Sequence, residues 1–341
     1  MKTKAIPNLK KFVLFYLCAL WSLIAFAQQD EKINGVSYVS SRDPIDFEHV
    51  KPVLDIHANW TALSPFGFMP GLNAPDIRYN MSRQWRGERS DGIREMARLF
   101  KKNKVKILLK PQLWISHGDF TGHIKMNTEE DWLAFEKNYA DFILTFAKLA
   151  EEEGIEMFSI GTELATYVAE RPDAWKALIE AVRKVYSGKL TYAENWDAYH
   201  KFPHWKSLDF IGIDAYFPLS EAKTPEVAEL LQNWKPIKEK IRALSVQTGK
   251  NVVFTEYGYR SLDYTAKRPW DSSRELKEIN FKAQENALTA IYRTFWNESW
   301  FEGGFLWKWF HRHEESGGEN DSQYTVQNKP AEGVIRQLYR R

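Results

Sequence analysis

The chain has 341 residues, 44% of them hydrophobic and 15% aromatic, with 47 Lys and Arg against 45 Asp and Glu. That near-balance, with no clustered basic stretch, excludes the polyanion-binding surface that nucleic-acid recognition needs. The single cysteine, Cys18, lies near the N-terminus, so the rest of the chain has no disulfide framework, thiol nucleophile or cysteine metal site.

Residues 1–27 read as a secretory signal peptide. Lys2, Lys4, Lys10 and Lys11 form a basic region, Phe12 to Phe26 an apolar stretch, and Ala25-Phe26-Ala27 a small-x-small cleavage site. The apolar stretch is short for a membrane span of about 20 residues. A secreted or periplasmic location is expected, with no stable membrane insertion after cleavage; an uncleaved anchor is the alternative. Removing the four lysines takes the formal charge from +2 to −2. Residues 28–341 are long enough to fold without disulfides, since a chain of roughly 300 residues buries about three quarters of its unfolded surface.

From Ile33 onward, apolar runs alternate with amphipathic stretches eight times. The first strand is predicted over 35–40, followed by a helix over 44–57 and a second strand over 60–63. A Pro/Gly-rich loop spans 64–87, then a helix covers 90–103. The third strand is 105–110. Thr128 opens a helix whose stripe is Trp132, Phe135, Tyr139, Phe142, Ile143, Phe146 and Leu149. The fourth strand, Met157 to Thr162, delivers Glu163. A helix over 171–188 leads to a fifth strand over 190–195 and a sixth over 210–216. Thr224 is expected as an N-cap with Pro225 at the first helical position. That helix runs to Thr248, with a kink or break expected at Pro236 and a stop at Gly249. The seventh strand, 251–258, carries Glu256. A helix over 275–300, expected to be the longest, precedes the eighth strand over 304–309. The last helix is 331–339. This alternation implies parallel pairing and right-handed crossovers. It predicts an α/β fold, a single-domain (β/α)8 TIM barrel.

Glu163 and Glu256 are 93 positions apart, which is three βα units at about 30 residues each. Both lie at C-terminal strand ends, the face where barrel enzymes hold their active sites. Two carboxylates there suit hydrolysis of a glycosidic bond. A gap of about 5–5.5 Å between them implies retention and about 6.5–9.5 Å inversion. The 14 tryptophans fit either an aromatic core or flat faces for sugar rings. Trp114 and Trp196 are candidates for such stacking, or for packing under loops. His117 and Lys110 are candidates for binding sugar hydroxyls. His311-x-His313-Glu314-Glu315 lacks a third ligand at a recognisable spacing, and no His-Glu-x-x-His is present, so no metal and no cofactor are expected.

Thr255-Glu256-Tyr257-Gly258 resembles the nucleophile strand of the clan A glycoside hydrolases. Asp214-Ala215-Tyr216 resembles the position of a Tyr that hydrogen-bonds the nucleophile, and Trp307 the aromatic platform under the cleaved sugar. Gly161-Thr162-Glu163 departs from the clan's commoner Asn-Glu at the acid/base. That departure, Lys110-Pro111 and the Trp-x-Trp of strand eight most resemble glycoside hydrolase family 113, over essentially all of residues 33–340. The resemblance implies a retaining enzyme with Glu163 as acid/base and Glu256 as nucleophile. Family 113 members are chiefly β-1,4-mannanases, so the expected partner is a polysaccharide or oligosaccharide, and a monomer is expected. Asn195 is a candidate for the sugar contact that the clan's missing Asn usually makes. A β-glucanase, an exo-acting β-mannosidase and a catalytically silent carbohydrate-binding barrel are the competing readings.

Overall fold

The structure is a computed structural model describing residues 31–273 and 278–340. The signal-peptide segment, 1–27, lies outside the described residues. Ten strands follow in chain order: β1 (Ile33–Tyr38), β2 (Trp60–Leu63), β3 (Phe66–Met69), β4 (Lys106–Leu109), β5 (Gln112–Ile115), β6 (Met157–Thr162), β7 (Lys189–Asn195), β8 (Phe210–Asp214), β9 (Asn251–Tyr257) and β10 (Phe301–Trp309). Eight close a parallel barrel in the order β1-β10-β9-β8-β7-β6-β4-β2. The main outer helices are α1 (Phe47–Asp55), α2 (Ser90–Lys102), α3 (Glu129–Glu152), α4 (Ala165–Glu170), α5 (Pro172–Arg183), α6 (Val227–Thr248), α7 (Phe281–Phe295) and α8 (Pro330–Tyr339). The (β/α)8 fold read from the alternation is therefore the fold observed, in one body from Ile33 onward.

The barrel interior is layered. Ile33, Trp60, Ala62, Leu108, Met157, Val253 and Phe305 form a separate apolar cluster. Trp60 and Phe305 meet edge to face at 6.2 Å. Polar side chains near the C-terminal strand ends, Lys110, Asp214 and Glu256, are buried as well. Between barrel and helices lies the larger core. All seven residues of the predicted α3 stripe are buried there. The aromatic surplus is mostly structural: Trp175, Trp205, Trp234 and Trp309 are fully buried.

Four local expectations are corrected. Within the predicted 64–87 loop, β3 pairs in parallel with β5 as a two-stranded ribbon. Its strands continue β2 and β4 past Pro65 and Pro111, which have no N–H to donate to a ladder. Pairing persists across the break, since the Lys110 N–H donates to Leu63 O and the Gln112 N–H to Pro65 O, both at 2.9 Å. Thr224 is not an N-cap: α6 starts after Glu226, and the Thr224 hydroxyl accepts a bond from Asn280 instead. That helix runs unbroken through Pro236 and ends at Gly249, φ +69°. The helix predicted over 275–300 is α7, which begins only after the Asn280 cap; among the described residues the longest helix is the 24-residue α3.

At the seam between β1 and β10, Gly303 adopts φ +119°, and a Cβ there would lie 2.2 Å from Ile33 O. Both the backbone region and the contact forbid a side chain. Gly303→Ala is therefore expected to destabilise the protein by about 1–3 kcal/mol or more. A denaturant titration that overlays wild type would show that the seam relaxes freely.

Candidate active site

Glu256 lies in β9 opposite Asp214 of β8. Its carboxylate is 10% exposed and held from three directions. Lys110 Nζ donates to Oε1. Gln112 Nε2 donates to the same oxygen at 3.2 Å. The Tyr216 hydroxyl donates to Oε2 at 2.8 Å. Lys110 also reaches Asp214 at 3.2 and 3.3 Å, and Thr255 donates to Asp214 at 2.7 Å. One buried ammonium thus serves two buried carboxylates. Burial acts to lower the Lys110 pKa, but Asp214 and Glu256 outweigh it and hold the ammonium above its ordinary value. Burial and then Glu256 push Asp214 up to about 7, against the pull of Lys110. Lys110 is 1% exposed, so it does not face sugar hydroxyls as expected. It is the counter-ion beneath Glu256.

Glu163 follows β6 with φ +51°, an unusual left-handed conformation for Glu. Its N–H donates to Ala193 O at 2.8 Å, and its carbonyl accepts from the Thr121 hydroxyl at 3.2 Å. The next residue's N–H donates to the Tyr192 hydroxyl at 2.7 Å. These contacts tie the turn to β7 and to the loop after β5. Burial raises the Glu163 pKa well above the usual carboxylate value, and the charges of Asp214 and Glu256 raise it further. Glu194 is buried one position before Asn195, and burial pushes it up to about 7. In the chain, Thr162 stands directly before Glu163; its hydroxyl is buried and makes no hydrogen bond within the protein.

Glu163 and Glu256 both line a cavity of about 520 Å³ at the C-terminal strand ends, together with Gln112, Trp114, Trp307 and Lys308. A second cavity of about 470 Å³ shares both glutamates and Trp307, and adds Asn195, Trp196, Tyr216 and Trp270. The arrangement presents a carboxyl group of raised pKa and a second one held by three donors to the same bound molecule.

Of the residues singled out from the sequence, Glu163, Glu256, Tyr216, Trp307, Trp114, Trp196 and Asn195 converge on these cavities. His117 does not: it is exposed, at φ +68° in a tight turn, and lines neither. Two positions apart on one strand, Trp307 and Trp309 would point the same way under regular alternation. Instead Trp307 is half-buried at the cavity and Trp309 is fully buried in the core. The reason is an irregular register, in which Val36 and Tyr38 of β1 oppose Leu306 and Trp309 of β10; a bulge inverts the alternation. The Trp307–Lys308 peptide is cis.

Sequence reasoning missed Gln112, the role of Asp214, Glu194, Trp270 and Lys308. Acids inside apolar strands were a readable signal for Asp214 and Glu194. Lys308 is the only cationic residue lining the first cavity among the described residues. Its ammonium lies over the Trp307 and Phe310 rings, 5.5 and 5.1 Å from their centroids. Among the described residues no group of three His, Cys, Asp or Glu is arranged to hold a metal ion, and no helix is long and apolar enough to cross a membrane.

Lys110→Met keeps most of the side-chain volume but strands two buried carboxylates. A loss of about 3–5 kcal/mol in unfolding free energy at neutral pH is expected. The deficit shrinks toward pH 4, because protonation removes the unpaired charges. Chemical denaturation at both pH values measures it; a deficit under about 1 kcal/mol at neutral pH would mean that the cluster is well solvated.

The family model for Glycoside Hydrolase Family 113 matches residues 43–329. No protein of curated function matches the chain. Among solved structures, a GH113 β-mannanase from Alicyclobacillus acidocaldarius superposes with a TM-score of 0.77 at 24% identity, covering 92% of this chain and 98% of that one. A GH113 β-1,4-mannanase gives 0.78 at 22% identity, covering 91% and 99%. A β-glucuronidase from Ruminococcus gnavus gives 0.61 at 12% identity, covering 90% of this chain and 49% of that one. At these identities the structural likeness is one of fold.

Proposed function

We propose that this chain, which belongs to glycoside hydrolase family 113, is an exported retaining β-glycoside hydrolase that cleaves β-1,4-mannan or manno-oligosaccharides. That it is a glycoside hydrolase follows from the family. Its substrate is inferred from solved GH113 relatives described as β-mannanases. Export rests on the signal-like residues 1–27. The observation that carries the mechanism is the convergence of Lys110, Gln112 and Tyr216 on Glu256, in a cavity shared with Glu163.

In this reading Glu256 attacks the anomeric carbon while Glu163 gives its proton to the departing glycosidic oxygen. The glycosyl-enzyme ester then yields to a water whose proton returns to Glu163. Three donors hold and aim Glu256, and burial with neighbouring negative charge favours the protonated form of Glu163. As the Glu256 ester forms, its negative charge disappears and the proton hold on Glu163 weakens, which suits its second role as base.

The direct test incubates the mature protein with mannan, glucomannan, xylan and cellulose and identifies the released sugars and their anomeric configuration. Fastest release from mannan with retained configuration is expected. Faster release from cellulose favours the β-glucanase reading, and inertness toward all four favours a silent binding barrel.

Glu256→Ala is expected to abolish turnover on every substrate, whereas Glu163→Ala keeps activity on an aryl glycoside whose leaving group needs no proton. If azide restores the Glu256 variant to a retained-configuration product, the two roles are reversed. The wild-type pH–rate profile should be bell-shaped. Both limbs belong to the coupled pair rather than to single residues, and the alkaline one lies above the ordinary Glu range near 4.3 because burial and neighbouring charge raise the Glu163 pKa.

Trp307→Ala should lower kcat on the order of 10²-fold, if roughly 2–3 kcal/mol of transition-state contact is lost. Trp309→Ala should instead cost about 3–5 kcal/mol of stability as a core truncation. Unchanged kcat with a lowered Tm in the Trp307 variant would assign that ring to packing.

A further inference from the structure

The β3–β5 ribbon is not needed to close the barrel, and it carries an aromatic face that two-carboxylate chemistry does not use. Side chains alternate along a strand. On β3, Gly67 and Met69 are buried while Phe66 and Phe68 are partly exposed; on β5, Leu113 and Ile115 are buried while Gln112 and Trp114 are not. Phe66 pairs with Gln112 and Phe68 with Trp114, so these four share one face. Gln112 touches Glu256 at 3.2 Å. Trp114 therefore lies one pleat further out, about 7 Å along the strand.

Beyond it opens a third cavity of about 640 Å³ lined by Phe66, Phe68, Trp85 and Trp114, with Arg83 and Glu88 among its polar groups. Phe66, Trp85, Glu88 and Trp114 also line the cavity that holds both glutamates, so the two cavities adjoin along these side chains. Trp85 is 40% and Trp114 52% exposed. The Arg42 guanidinium lies 5.2 Å from the Trp85 ring centroid and restrains that indole.

We infer that this groove is a distal binding site for the sugar chain, in which β-linked sugar residues beyond the cleaved bond lie along the ribbon with their apolar faces on Trp85 and Trp114. The occupant is the continuing substrate, because the groove adjoins the cavity of Glu163 and Glu256 and shares the Trp85 and Trp114 rings with it. Arg83 and Glu88 supply polar partners for hydroxyls. On the other side of the two carboxylates, Trp196 and Trp270 stack at 4.9 Å and line the second cavity. A chain therefore passes the glutamates with aromatic support on both sides, which is the geometry for attack at internal linkages. This inference rests on the glycosidase reading above.

The test measures kcat/KM from disaccharide to hexasaccharide, in whichever of the manno- or cello-series wild type cleaves faster. Proteins compared are wild type, Trp85→Ala, Trp85→Ala/Trp114→Ala and Trp85→Tyr. The readout is the ratio of long-substrate to short-substrate kcat/KM within each preparation, which does not depend on the fraction folded. Wild type should show a ratio well above one. The alanine variants should lower it by about tenfold or more, and Trp85→Tyr should restore most of it. An unchanged ratio in the double variant, or a wild-type rate independent of length, overturns the distal site. Wild type inert on both series and on all polysaccharides overturns the glycosidase reading itself, and the distal site falls with it.

Discussion

A lysine with 1% exposure, Lys110, is the constraint around which the mouth of this barrel is organised. A lone ammonium in such a place would lose its proton or unfold the site. It persists because Asp214 and Glu256 come from adjacent strands and close on it together. The pairing works in both directions. The carboxylates hold the ammonium charged and the ammonium anchors Glu256, while burial and then Glu256 push Asp214 up to about 7 against the pull of Lys110. Burial first, and then the charges of Asp214 and Glu256, raise the Glu163 pKa. Burial and the neighbouring carboxylates thus raise Glu163, while Lys110 pulls the other way and anchors Glu256 in the same cavity.

The position of Glu163 is set by the neighbouring barrel strand, the loop after β5 and the aromatic shell behind them. Its left-handed backbone is held by bonds to Ala193, Thr121 and, through Leu164, Tyr192. Tyr192 packs against Trp175 and Phe202 at 5.0 and 4.5 Å, and Trp175 packs on Tyr139 of the α3 stripe. The aromatic shell therefore reaches from the helix layer to the turn that carries the carboxylate. Two-χ aromatic side chains lose little entropy when buried, and they make a stiff support for a backbone conformation that costs of order 1–3 kcal/mol. This gives a physical role to an aromatic content that sugar binding alone does not require.

The ribbon shows how two barrel strands can be extended past a proline break into a second parallel pairing. Pro65 and Pro111 end the regular ladders of β2 and β4, yet the chain carries on outward and pairs again. The break re-aims the pleat, placing Gln112 against Glu256 and Trp114 in the cavity.

The sequence by itself determined the fold class, the eight strand–helix units and the two glutamates at strand ends, because burial periodicity and spacing are local or near-local properties. The α3 stripe and the Gly249 stop are written in adjacent residues. Tertiary structure decided what depends on which strands become neighbours. The role of Lys110 required the end of β4 to face the adjacent strands β8 and β9 across the barrel, so a lysine read as a candidate for sugar hydroxyls is a buried counter-ion. Trp307 and Trp309 have the same spacing as any pair on one strand face, and only a bulge set by pairing with β1 sends them apart. The ribbon escaped notice because four-residue strands carry almost no periodic signal and gain their stability from each other. Long-range register, which no window of sequence contains, decided which of these side chains meet the cavity.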